Sequence, residues 1–326
     1  MSFDYLLSKI KNNNFLLIGR AGIDIYPDPP GTKTENAKKF VSFLGGSSAN
    51  MAVQLKKFNG NCNLLTRVSD DALGRLVINE LDKYNINRNN IKFEKNEARI
   101  SFAIVETRMK DHQSIIYRNN AADLFLNKND VDSAKIENYD CILITGTTLA
   151  SEPSRSAIFH ALNIANKNNI PVIMDIDYRP YTWKNSTLAS EIYMKASKKC
   201  TGIIGNEEEF GILANDNNNG QKLAESLSNH LDLVIYKKGE RGSEIFTKNY
   251  SFKKGIFKVK PLKPTGAGDA FMGALIGALL NNYDLEKSVE IGSAAAALVV
   301  TKVGCSSAMP LQNEIEEFMR SNKIHN

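Results

Sequence analysis

A carboxylate, Asp269, follows the small-residue string Gly266-Ala267-Gly268 and stands directly before an apolar run from Ala270 to Leu280. The pattern predicts a helix over 266–280 with Asp269 in its first turn. Helix N-termini leave backbone N–H groups unpaired and carry partial positive charge. Glycine lets an anion approach those groups closely. Gly266, Ala267 and Gly268 therefore offer a cradle for a phosphate, and Asp269 offers a base beside it. That combination suits phosphoryl transfer onto a hydroxyl. The competing interpretation is structural: tight packing at a helix start, with Asp269 offsetting the helix dipole.

Other residues of chemical promise recur along the chain. Asp24 follows the first apolar segment, where a carboxylate can accept two hydrogen bonds from a sugar diol or serve as a turn residue. Gly45 and Gly46 precede Ser47-Ser48-Ala49-Asn50 at a second helix start, which is either a ligand approach or an ordinary cap. Arg118 and Arg179 each end a predicted strand. Arginine forks bind carboxylates, so the pair suits a sugar acid, or else two structural ion pairs. Asn206 and Glu209 share a helix face and suit a hydrated magnesium ion near phosphates, or an acidic first turn. Lys238, Gly239 and Gly242 form a hairpin turn or a loop along a nucleotide. Gly304, after a small-residue helix, would close an adenine pocket.

These residues need a frame that brings them together. Short apolar strands are predicted at 15–19, 63–68, 141–145, 172–176, 202–204 and 233–236. Helices are predicted between them at 47–58, 73–84, 154–166, 188–197, 207–213 and 221–228. The last third is helical, at 266–280, 285–303 and 313–320. Strands alternating with helices imply an α/β fold with a mainly parallel sheet covered on both faces. Ligands bind such sheets at the carboxyl ends of the strands. Two stretches break the rhythm, 23–44 and 92–120, the second alternating like half-buried antiparallel strands. Together they would form a small β-sheet lid over a site, which keeps water from competing with an acceptor alcohol. A single domain over 1–326 is expected.

The bulk properties narrow the classes. A formal charge of +5 with interspersed lysines and acids, and no basic block, argues against nucleic-acid binding. No apolar stretch reaches the length of a membrane span, and the N-terminus lacks a signal-peptide pattern. Cys62, Cys141, Cys200 and Cys305 are far apart, which fits free thiols in a reducing cytoplasm. The four histidines form no metal-ligand pattern.

The order of a glycine pair with asparagine, then Asn-x-x-Glu, then Gly-x-x-Gly, then Gly-Ala-Gly-Asp resembles the ribokinase-like carbohydrate kinases (the PfkB family). The resemblance runs from about Phe15 to Pro310. It implies a three-layer α/β sandwich with a small β lid, ATP as phosphate donor and Mg2+ as cofactor. By that resemblance Asp269 is the catalytic base and the N–H groups of Gly266 to Gly268 form an anion hole. Asp24, Gly46 and Asn50 match sugar-binding positions, and Asn206 and Glu209 match the magnesium and phosphate motif. The strings 19–27, 117–124 and 175–183 are most similar to the branch acting on 5-dehydro-2-deoxygluconate in inositol breakdown, with 2-keto-3-deoxygluconate as the alternative substrate. The family pattern reads Asp-Thr before its Gly-Ala-Gly-Asp segment, whereas Lys263 and Pro264 stand here. That departure leaves open a nearby monovalent-cation site, which Lys263 would repel unless it contacts ATP phosphates itself. A homodimer through the lid is a further expectation, and a non-catalytic sugar or nucleotide sensor is the rival to an enzyme.

Overall fold

The computed structural model describes residues 2–325. Its strands in chain order are β1 (Phe15–Ile18), β2 (Gly22–Asp28), β3 (Lys39–Gly45), β4 (Cys62–Ser69), β5 (Ile91–Glu94), β6 (Ser101–Val105), β7 (Ser114–Tyr117), β8 (Cys141–Thr145), β9 (Val172–Asp175), β10 (Gly202–Asn206), β11 (Leu233–Lys237), β12 (Ser243–Phe246), β13 (Ser251–Lys254), β14 (Ile256–Phe257) and β15 (Ile324–His325). A nine-stranded sheet has the order β13-β12-β11-β10-β9-β8-β1-β4-β5. Every pairing from β11 through to β5 is parallel, and β12 and β13 add an antiparallel edge.

Alternation along each strand explains the two covered faces. Phe15 and Leu17 of β1 join one apolar cluster with the helices Ser47–Lys56, Ala72–Lys83, Ala267–Leu280 and Leu285–Val299. Leu16 and Ile18 point the other way, into a second cluster with Ser154–Lys167, Ser186–Ser197 and Glu207–Leu213. Strands buried on both faces read as continuous apolar runs, which is why the sequence marks them clearly. The mainly parallel α/β sandwich expected from the sequence is the architecture found.

The small sheet has four strands in the order β3-β2-β6-β7. Two expectations about it need correction. β5, placed in the lid by its alternation, pairs with β4 at the edge of the main sheet. The small sheet is also mixed: β6 pairs antiparallel with β7 but parallel with β2. Periodicity reports which residues share a face but not which strand lies alongside. A helix at Phe3–Lys11, unmarked in the sequence reading, buries Leu6 and Ile10 against the first cluster. Among the described residues no helix is long and apolar enough to cross a membrane.

Chain order reverses at β1, which lies between β8 and β4. Such a switch point opens a crevice at the carboxyl ends of the strands. Two helices begin there, Ser47–Lys56 and Ala267–Leu280, and they pack on each other through glycines. A Cβ added at Gly273 would lie 2.6 Å from the Gln54 Cβ, and one at Gly277 would lie 2.5 Å from the Phe58 Cβ. Gly277→Ala is therefore expected to lower stability by about 1–3 kcal/mol through overpacking, a drop that thermal unfolding of the purified variant would measure.

Candidate active site

The crevice is a cavity of about 810 Å3 walled by the carboxyl ends of the main sheet and by the inner face of β6 and β7. Asp269 lies on its floor, in the first turn of the Ala267–Leu280 helix. The helix begins at Gly266, whose φ of 87° suits glycine. Asn50 donates from Nδ2 to Asp269 Oδ2 at 2.8 Å, while its own Oδ1 is buried without a partner among the described residues. The N–H groups at the helix start have no preceding turn to bond. Gly266, Ala267, Gly268 and Asp269 all line the cavity, so the cradle and the carboxylate face one space. The helix N-terminus should favour the ionised acid, but burial wins: with Asp177 and Asp175 nearby, it pushes Asp269 up to about 7.

Lys263 is fully buried. Its Nζ donates to the Thr265 and Val299 carbonyl oxygens, at 2.7 and 3.1 Å. It therefore ties the irregular segment before Gly266 to the end of the Leu285–Val299 helix. Burial lowers its pKa, and the fields of Cys305, Asp24 and Asp269 oppose that fall.

Asp24 sits on β2, in the small sheet, and its carboxylate enters the same cavity. Burial raises its pKa against the pull of Arg20 and Lys263. Gly45 is needed beside it, since a Cβ there would lie 2.2 Å from Asp24 Oδ1. Gly46, at φ 95°, brings the chain against the Arg20 carbonyl, 2.5 Å from where a Cβ would stand. Arg179 lines the cavity and pairs with Asp177 at 2.7 Å. Asp177 also accepts from Ser47 Oγ at 2.6 Å, which ties the β9 loop to the helix start.

Arg118 is placed differently from the sequence expectation. It is buried outside the cavity wall, ion-paired with Asp123 and donating from Nη1 to the Thr147 carbonyl at 2.7 Å. A guanidinium held this way is a structural post. The arginine that does reach the cavity beside Arg179 is Arg20.

Asn206 and Glu209 also line the cavity, and they form a capping box. Asn206 Oδ1 accepts from the Glu209 N–H at 2.9 Å, and Glu209 Oε2 accepts from the Asn206 N–H at 2.7 Å. Burial raises the Glu209 pKa. Asp175, at the end of β9, is likewise raised by burial. Lys237 ends β11 opposite Asn206 in register. Burial would lower its pKa, but Asp175, Glu209 and Asp269 outweigh that and raise it. Among the described residues no three acids, histidines or cysteines are grouped to hold a metal directly. Hard oxygen donors at Glu209 and Asp175 fit a magnesium ion that keeps its waters and takes phosphate oxygens as ligands.

Lys238 to Gly242 is a hairpin between β11 and β12, closed by the Lys238 N–H donating to the Gly242 carbonyl at 2.7 Å. Gly239 and Gly242 border the cavity; Lys238 turns aside to pair with Glu244. Gly304 does not line the cavity. Its φ of 83° serves the bend after the Leu285–Val299 helix. The apolar end is formed instead by Phe257, Val259, Ala296, Ala297 and Val300.

Sequence reasoning thus missed Arg20, Lys237, Asp175 at the end of β9 and Asp177 in the loop after it as cavity residues. A signal existed for each of the strand ends. Lys237 and Asp175 are the first charges after apolar runs, and a parallel strand delivers such a residue to the crevice.

The model of the pfkB family carbohydrate kinases matches residues 12–312. A 5-dehydro-2-deoxygluconokinase of Photobacterium profundum is 37% identical over 94% of this chain and 94% of its own length. The enzyme of that name from Geobacillus thermodenitrificans is 34% identical over 94% and 93%. Among solved structures, a Vibrio cholerae fructokinase variant bound to fructose, ADP and potassium ion superposes with a TM-score of 0.83 at 23% identity, covering 94% of this chain and 98% of that one. An E. coli protein assigned as a ribokinase II, solved with ATP and Mg2+, gives 0.85 at 22% identity over 95% and 99%. With a family model spanning nearly the whole length and relatives alike from end to end, the chain belongs to the pfkB family of carbohydrate kinases.

Proposed function

We propose that this chain phosphorylates 5-dehydro-2-deoxygluconate on its terminal hydroxyl, with ATP and Mg2+. The observation that carries the mechanism is Asp269, set beside unpaired helix N–H groups on the floor of a cavity that also holds Asp24 and Arg179. The substrate is supported by the names of the relatives and by the Arg179 guanidinium in the cavity wall.

In this reading the sugar's diol binds Asp24, and its carboxylate end meets Arg179. The terminal hydroxyl then rests against Asp269, whose position is fixed by Asn50. Asp269 accepts the hydroxyl proton as the oxygen attacks the γ-phosphorus and the bond to ADP breaks. The N–H groups of Gly266 to Gly268 stabilise charge on the transferred group. Asn206, Glu209 and Asp175 would hold a magnesium ion, which would neutralise phosphate charge when bound. Lys237 faces the same phosphates. The apolar end receives the nucleobase, with Gly239 and Gly242 along the nucleotide. The small sheet acts as a lid, and 1–326 functions as one kinase domain. Lys263 supplies a fixed positive charge near the cradle.

The first test is a magnesium–ATP assay comparing 5-dehydro-2-deoxygluconate, 2-keto-3-deoxygluconate and fructose by kcat/KM. Preference for the first is expected; equal or better use of another sugar would overturn the substrate. Asp269→Asn should lower turnover by ~10²–10⁴, the usual loss for a general base. Its melting temperature at pH 8 should equal or exceed that of the wild type. The sign follows from the raised pKa: a carboxyl near 7 when folded, against an ordinary value of 3.8, loses stability as pH rises through that interval. Removing the charge removes that loss. The base must also be ionised to act, so kcat/KM should rise from acid pH and level off above about 7, measured across a pH series.

A further inference from the structure

The sequence pointed to Arg118 and Arg179 as a carboxylate clamp, yet only one of them reaches the cavity. Arg20 occupies the missing place. It follows β1 at the switch point and is 7% exposed. Its base is rigid: the Ala49 N–H donates to the Arg20 carbonyl at 3.3 Å, and Gly46 abuts that carbonyl. Its Nη1 donates to Ser101 Oγ at 3.2 Å, and its Nε is buried with no partner among the described residues. A guanidinium has five donors and cannot shed its charge. Leaving such donors buried and unmet is costly. Arg118, by contrast, already has Asp123 and the Thr147 carbonyl.

We infer that Arg20 is the second arm of the clamp and binds the substrate's carboxylate together with Arg179, setting the preference for sugar acids over neutral sugars. This inference rests on the substrate reading above. Asp24 and Asp177 lie close enough to share electrostatic fields with Arg20. They offset part of its charge, and the guanidinium still lines the cavity. Ser101 orients the fork from β6, so the small sheet contributes to acid recognition.

The test pairs the acid with its neutral ketose analogue, in which –CH2OH replaces the carboxylate. Wild type should prefer the acid. Arg20→Met should lose about 10–100-fold in kcat/KM on the acid, the range of a charge-assisted hydrogen bond. On the ketose it should lose less than about threefold, well below that range. Arg20→Lys, which keeps a charge without the fork, should fall between them and covers the case in which the methionine variant does not fold. Arg118→Met should lower the melting temperature while the acid-to-ketose ratio stays near that of the wild type. Equal losses on both substrates for Arg20→Met, or collapse of the ratio in Arg118→Met instead, would overturn the assignment. Failure of the substrate reading shows separately, in the wild type alone: no preference for the acid removes the reading and the clamp together.

Discussion

The site depends on one close contact, between the helices Ser47–Lys56 and Ala267–Leu280. Gly273 and Gly277 let the second helix lie against Gln54 and Phe58 with no side chain of its own between them. The two N-termini therefore open side by side at the switch point. That adjacency is what allows Asn50 of one helix to reach Asp269 of the other at 2.8 Å. A side chain at either glycine would separate the helices, and Asp269 would lose its orienting partner. The rest of the sheet delivers its charged strand ends to the same opening, so packing in the core sets geometry at the surface of the cavity.

Charge balance is the second constraint. Asp24, Asp175, Asp177, Glu209 and Asp269 share one cavity with Arg20, Arg179, Lys237 and Lys263. Burial raises the pKa of Asp24, Asp175, Glu209 and Asp269, whereas Asp177, paired with Arg179, stays below its ordinary value. Charges in such a setting are costly unless paired. The fold answers with fixed cations: Arg179 on Asp177, and Lys263 on two carbonyls. An active site of this kind holds folding energy in reserve, which a ligand with phosphates and a carboxylate can use.

The body of the fold was legible because its strands are buried on both faces. Leu16 and Leu17 are both apolar for opposite neighbours, so a short unbroken run marks the strand. The helix start at Gly266 was legible because glycines and a carboxylate before an apolar run mark a helix N-terminus. The small sheet was harder. β5 alternates like a lid strand but pairs with β4, since alternation records exposure and not partnership. The arginines were harder still. Arg118 and Arg20 are both buried cations near strand ends, and only tertiary contacts distinguish a post bonded to Asp123 from a guanidinium that lines the cavity with its Nε unpaired among the described residues. Gly304 shows the same limit, because a glycine at positive φ serves a bend as readily as a ligand.

Asp24 belongs to the small sheet and Asp269 to the body, so a sugar held by both is a mechanical tie across two layers of the molecule. The tie is symmetrical only before reaction. Afterwards the end that met Asp269 carries a phosphate, and the carboxylate, once it sheds the proton it accepted, repels it. In the proposed reaction, the same residue that draws the acceptor inward thus turns against the product, and the chemistry itself loosens the clasp that permitted it.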